Sequence, residues 1–135
     1  MARRTIRTDA APAPVAGAPY SQAIGVHPGA GEVVWVSGQV PLDAAGVLAG
    51  EDVATQTRQC LVNIAAILAA AGGSMADVVK TTVYMRDLDA FGEMNTVYGE
   101  AFGALPPARA TIGVADLPAG ASVEIEAVAV IAATR

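Results

Sequence analysis

The sequence predicts an α+β domain in which a mixed β-sheet carries two helices on one face. Short β-rich runs recur at 32–37, 78–85, 108–114 and 122–133. Two stretches with apolar residues three and four apart separate them. The order is strands, helix, strand, helix, strands: two βαβ-like units in succession. At 135 residues the chain has the usual length of one domain, so we read 1–135 as a single domain with an extended leader over 1–17.

Each element has a local reason. Residues 9–19 (DAAPAPVAGAP) are rich in Pro and Ala and read as irregular chain. EVVWVS (32–37) lies between Gly31 and Gly38 and reads as a buried strand. Residues 41–50 are turn-rich. Asp52 is an N-cap for a helix over 53–71, whose stripe is Val53, Thr57, Cys60, Leu61, Ile64, Leu68 and Ala71. Gly72 and Gly73 stop it. Cys60 falls on that stripe and reads as core. In VVKTTVYM (78–85) Val79, Thr81, Val83 and Met85 share one face, and Lys80, Thr82 and Tyr84 the other. Asp87 or Asp89 caps a second helix with Phe91, Met94, Asn95, Tyr98 and Phe102 on one stripe. Pro106 and Pro107 break the chain before the strand over 108–114. In the last strand Glu124, Glu126, Val128 and Val130 share a face. Several strands are apolar on both sides, so the face without helices calls for a partner.

Composition narrows the function. Hydrophobic residues make up 53% and charged residues 16% of the chain, and 30 residues are alanine. That excludes disorder, which needs low hydrophobicity and high charge. A net charge of −5, with no Lys/Arg cluster after Arg7, argues against nucleic acid as a partner. No apolar segment follows the basic start, which argues against a secretory signal. The longest apolar stretch, 61–71, contains Asn63 and falls short of the ~20 residues of a membrane span. One Cys and one His exclude an internal disulfide and a zinc site of usual composition. The expectation is a cytoplasmic, metal-free protein.

No dinucleotide, phosphate-loop, nucleophile-elbow or zincin pattern is present. His27 lies in a Gly/Pro loop with no nucleophile motif near it, which argues against a Ser-His-Asp triad. What remains is a set of polar residues in apolar segments: Arg109 and Thr111 in one strand, Glu124 and Glu126 in another, Asn95 in a helix stripe, Ser37 and Gly38 at a strand end, and Tyr20 in the leader. Arg109 has two readings. It pairs with Glu124 or Glu126 as a structural salt bridge, or its planar guanidinium forks onto a substrate carboxylate while a Glu holds a water.

The segments APYSQA (18–23), VSGQVP (36–41), DVVKTTVYMRDLDAF (77–91), MNTVYGEAF (94–102), PPARATIGVADLP (106–118) and VEIEAVAV (123–130) resemble, in order and spacing, the RidA/YjgF family of enamine/imine deaminases. The resemblance implies a chorismate-mutase-like homotrimer with sites between subunits. It implies hydrolysis of small 2-imino or 2-enamino acids to 2-oxo acids and ammonia, with no cofactor. It makes Arg109 the carboxylate-binding residue and Glu124 the residue at the hydrolytic water. Tyr20, Ser37 and Asn95 match substrate-site residues, Gly38 offers backbone groups, and Glu126 is structural. Thr111 departs from the pattern, because members often carry Cys there; thiol chemistry at this position is thereby excluded. Two other readings stay open. One is a pathway-specific deaminase of a larger, aminomuconate-like enamine. The other is a non-enzymatic small-acid-binding or chaperone-like trimer, against which the presence of both Arg109 and Glu124 argues. An endoribonuclease, the activity of some relatives, is disfavoured by the net charge.

Overall fold

The computed structural model describes residues 2–133. Its elements run β1 (Arg3–Ile6), β2 (Ala23–Val26), β3 (Glu32–Gln39), α1 (Val53–Ala70), β4 (Val78–Met85), α2 (Phe91–Phe102), β5 (Ala108–Gly113) and β6 (Val123–Ile131). The strands form one mixed sheet in the order β1-β2-β3-β6-β4-β5. Neighbours are antiparallel except β4 and β5, which α2 connects in parallel. The last strand, β6, sits between β3 and β4, which α1 joins. Both helices pack on one face and against each other, as the α+β reading expects.

The helices form where their caps and stripes dictate. The Asp52 carboxylate accepts the Thr55 N–H at 2.9 Å and starts α1. Cys60, Leu61, Ile64, Ile67 and Leu68 then point inward, and Gly72, at φ +89° just past the end, lets the chain turn away. Met94, Val97 and Tyr98 are the buried side of α2. The sheet meets them with Val34, Val36, Val83, Met85, Ile125, Ala127 and Ala129. Cys60 is fully buried, and burial pushes its thiol well up, so it stays an unreactive core residue.

Three local expectations need correction, and one strand is not foreseen by the sequence. Within the extended leader read over 1–17, Arg3–Ile6 is an edge strand paired with β2; Met1 of that leader, and residues 134–135, lie outside the described residues. Strand β2, which contains Ala and Gly, gave no propensity signal and exists through its pairing with β1 and β3. Val79 is half-exposed and Val78 is buried in its stead, because one extra residue bulges out of β4 between Val78 and Lys80. Asp87 caps a single turn ahead of α2, accepting from the Asp89 N–H, and the α2 stripe turns on Val97 while Phe91 lies at the surface.

One ion pair ties two strands of the sheet to the end of α1. Arg4 on β1 forks onto Glu32 of β3, with both N–H···O distances 2.7 Å, and also donates to the Ala71 carbonyl at the end of α1 at 3.0 Å. The Glu32 side chain is 6% exposed. It reaches Arg4 across Gly25, where a Cβ would lie 2.1 Å from its Oε2. The hydrogen bonds from Arg4 hold its carboxyl below the ordinary range. The stabilisation is therefore fully present above the ordinary glutamate value and is lost as pH falls through the lowered one. Arg4→Ala is expected to lower the unfolding free energy by about 2 kcal/mol at neutral pH. Urea titrations should show the gap from the parent protein closing as the pH is taken below 4.5, the ordinary glutamate value.

Candidate active site

The polar residues singled out by sequence separate into two groups. The first surrounds a cleft of about 400 Å³ lined by Val15, Ala18, Tyr20, Ser37, Gly38, Val40, Pro118 and Glu124. Ser37 and Gly38 occupy a bulge in β3: Val36 pairs with Ala127 and Gln39 with Ile125, so β3 carries one residue more than β6. A bulge of this kind re-aims side chains beside a site.

The hydroxyls of the cleft have assigned roles. Ser37 Oγ donates to the Ser21 carbonyl at 2.5 Å, so towards a ligand it is left as an acceptor. Tyr20 Oη accepts from the Val15 N–H at 2.7 Å and keeps its own proton to donate. Glu124 lies across Gly38, where a Cβ would stand 2.2 Å from its Oε2. Burial, and then the charge of Glu126, push the Glu124 carboxyl above the ordinary range.

The second group lies against α2. The Arg109 guanidinium sits over Tyr98, 4.7 Å from the ring centroid, and over Phe91 at 5.5 Å. Nη1 reaches Met94 Sδ at 4.0 Å. Tyr98 is fixed in turn by a 2.6 Å hydrogen bond to Thr81 Oγ1. No ion pair among the described residues includes Arg109. Thr111 lies two residues along the same strand, and Asn95 shares a helix side with Phe91 and Tyr98. Their Oγ1 and Oδ1 atoms are buried without a hydrogen-bond partner. Arg109, Asn95 and Thr111 thus lie together on the helix-covered side of the sheet, and Tyr20, Ser37, Gly38 and Glu124 lie together at the cleft.

The structural salt-bridge reading of Arg109 fails. Arg109 pairs with Thr81, which faces the helices, whereas Glu124 pairs with Tyr84 on the open face. The chain keeps Arg109 and Glu124 on opposite sides of its sheet, and Glu126 is taken up by the Tyr84 hydroxyl. The aromatic bracket of Arg109 was present in the sequence as Phe91 and Tyr98, seven residues apart, but as a core stripe. Among the described residues no three His, Cys, Asp or Glu side chains gather as a metal site, and no helix is long and apolar enough to cross a membrane.

Comparison with known proteins points to one family under several names. The family model described as endoribonuclease L-PSP matches residues 10–131. A RutC family protein of Pyrococcus abyssi is 45% identical, over 96% of this chain and 98% of its own. A protein of Salmonella typhimurium named 2-iminobutanoate/2-iminopropanoate deaminase is 44% identical, over 94% of this chain and 97% of its own. The crystal structure of RidA from an Antarctic Psychrobacter superposes with a TM-score of 0.85 at 43% identity, covering 95% of this chain and 99% of that one.

The geometry of the cleft carries a direct test. Gly38→Ala is expected to push the Glu124 carboxylate out towards water. Its titration, followed by ¹³C NMR of the side-chain carboxyl, should then fall towards the ordinary value of 4.5.

Proposed function

The chain belongs to the RidA/YjgF (endoribonuclease L-PSP) family, and from that membership we propose that it is an imine deaminase. Its substrates are small 2-imino or 2-enamino acids such as 2-iminobutanoate or 2-aminoacrylate, and its products a 2-oxo acid and ammonia. The observation that carries this reading is the unpaired, aromatic-bracketed Arg109 on one sheet face and Glu124, aimed over Gly38, on the other. Each is half of what the reaction needs. A homotrimer supplies the pairing: Arg109 of one copy meets the Glu124 cleft of the next.

The chemistry follows from the groups. Arg109 forks onto the substrate carboxylate, with its plane held by the Phe91 and Tyr98 rings. That orients the imine carbon, C2. Ser37 accepts an N–H of the substrate, and Tyr20 donates at the rim. Glu124 takes a proton from water as the water oxygen bonds to C2, and the C=N π pair moves to nitrogen. Return of that proton to nitrogen gives the carbinolamine; its hydroxyl proton then passes by way of Glu124 to nitrogen as the C=O bond forms and the C–N bond breaks, leaving the 2-oxo acid and ammonia. Water and imine are consumed one for one. Because the imine is already electrophilic, the chain's own groups suffice.

The family description favours a second reading, cleavage of RNA. A net charge of −5 gives phosphate little attraction, and cleavage of RNA under metal-free conditions is the observation that would support it.

Coupling the protein to a threonine dehydratase and trapping residual 2-iminobutanoate with semicarbazide decides the matter. The trap yield should fall with the parent protein; an unchanged yield with folded protein rejects the reading. Arg109→Ala should lose about 100-fold in kcat/KM while the assembly, checked by light scattering, stays intact. The rate should also decline as pH falls through the raised value of Glu124, an acid limb above 4.5.

A further inference from the structure

On the open face Glu124 lies among three positions of the sheet that bear on where its carboxylate goes. Directly opposite on β4 is Tyr84. Two residues along β6 is Glu126, on the same side. On β3 is Gly38, which has no side chain. Tyr84 does not bond the glutamate it faces; its hydroxyl crosses diagonally and donates to Glu126 Oε1, a reach that cross-strand diagonals allow to an aromatic ring. That contact occupies the tyrosine and anchors Glu126.

We propose that Tyr84 and Glu126 are positioning residues for Glu124: Tyr84 clamps the Glu126 carboxylate in place, and the clamped charge turns Glu124 over Gly38 into the Tyr20–Ser37 cleft. The inference rests on the deaminase reading for its catalytic consequence, and on geometry alone for the placement of Glu124. It replaces the structural role that the sequence assigns to Glu126.

The electrostatics agree. The charged and titratable groups about Glu124 are Glu126 on β6, Tyr84 on β4, Tyr20 across the cleft and, behind the sheet, Cys60 of α1. Cys60 is held neutral by burial. The hydrogen bond to Glu126 raises the Tyr84 hydroxyl, so this donor stays protonated across the working range. Glu126 is thus the charge that acts on Glu124, and it acts with burial in the same direction. A base that both takes a proton from water and returns it to nitrogen is served by that direction.

Tyr84→Phe removes one oxygen and keeps the ring; Glu126→Gln removes the charge and keeps the shape. The readout is the Glu124 titration, followed by side-chain ¹³C NMR, beside kcat and KM for 2-iminobutanoate hydrolysis. Both variants should titrate Glu124 at lower pH than the parent. Each should lower kcat about tenfold with KM within about twofold, the split expected when binding is untouched. An unchanged Glu124 titration in both variants overturns the proposal, whatever the rates. A parent protein inert towards the imine rejects the functional reading instead, and the titration still decides the placement. If one variant fails to fold, the other carries the same test.

Discussion

Side chains of a β-strand alternate between faces, and the ladder β5-β4-β6 carries that alternation unbroken from Arg109 to Glu124. Arg109 stands opposite Thr81 under the helices, and Tyr84 stands opposite Glu124 on the other side. Shifting either register by one residue would exchange every face at once, exposing Val83, Met85 and Ile125, which are fully buried. The core therefore locks the two charged groups apart as firmly as it locks itself together. On the proposed function, a site that used both would be assembled from two copies, and that would account for an arginine in an apolar strand that makes no ion pair among the described residues.

Two glutamates in this sheet use one steric device to opposite ends. Glu32 lies over Gly25 and Glu124 over Gly38, each where a side chain on the neighbouring strand would collide with the carboxylate. Glu32 meets a bidentate arginine, and its carboxyl is held low. Glu124 meets no cation among the described residues; burial and Glu126 hold it high. Bare backbone beside a carboxylate makes room in both cases, and the partner decides whether the carboxyl is held low or high.

The loops that wall the cleft are held by buried amides. Gln22 donates to the carbonyls of Thr8, Ala11 and Pro12 and accepts the Thr8 N–H. Asn63 of α1 donates to the Val40 and Leu42 carbonyls. Gln56 bonds Gly50 and Ser122. Each such bond contributes about 1 kcal/mol net, and an orphaned buried partner costs more, about 1–3 kcal/mol. These contacts explain what the sequence did and did not make legible. Periodicity revealed α1, α2 and the long strands, because burial writes itself into spacing. The motif segments pointed to Arg109, Glu124 and the residues of the cleft, but the Phe91 and Tyr98 bracket of Arg109 read only as a core stripe. Strand β2, the bulges at Ser37–Gly38 and Val79, and the clamps of Gln22 and Asn63 depend on pairing between distant segments, which leaves no local signal. The separation of Arg109 from Glu124 was implicit in the alternation, but only once the strand order was known.

The scarcity of charge has its meaning on the open face. Trp35 on β3, Val130 on β6 and Ile112 on β5 are each nearly half exposed there, at 48%, 45% and 45%. Val33 and Val128 lie among them, and the neighbouring Glu126 is bonded to Tyr84. Covering a large apolar side chain completely is worth about 1.5–3 kcal/mol, so a patch of this make-up favours association. Copies joined through this face would bury the patch and bring the edge strand β5, with Arg109, towards the cleft of a neighbour. Association and catalysis would then share one surface. The few charges left on it, Glu124 and Glu126 among them, would be retained because the chemistry uses them, since solvation alone would have been served as well by lysine or by glutamate anywhere else on the sheet.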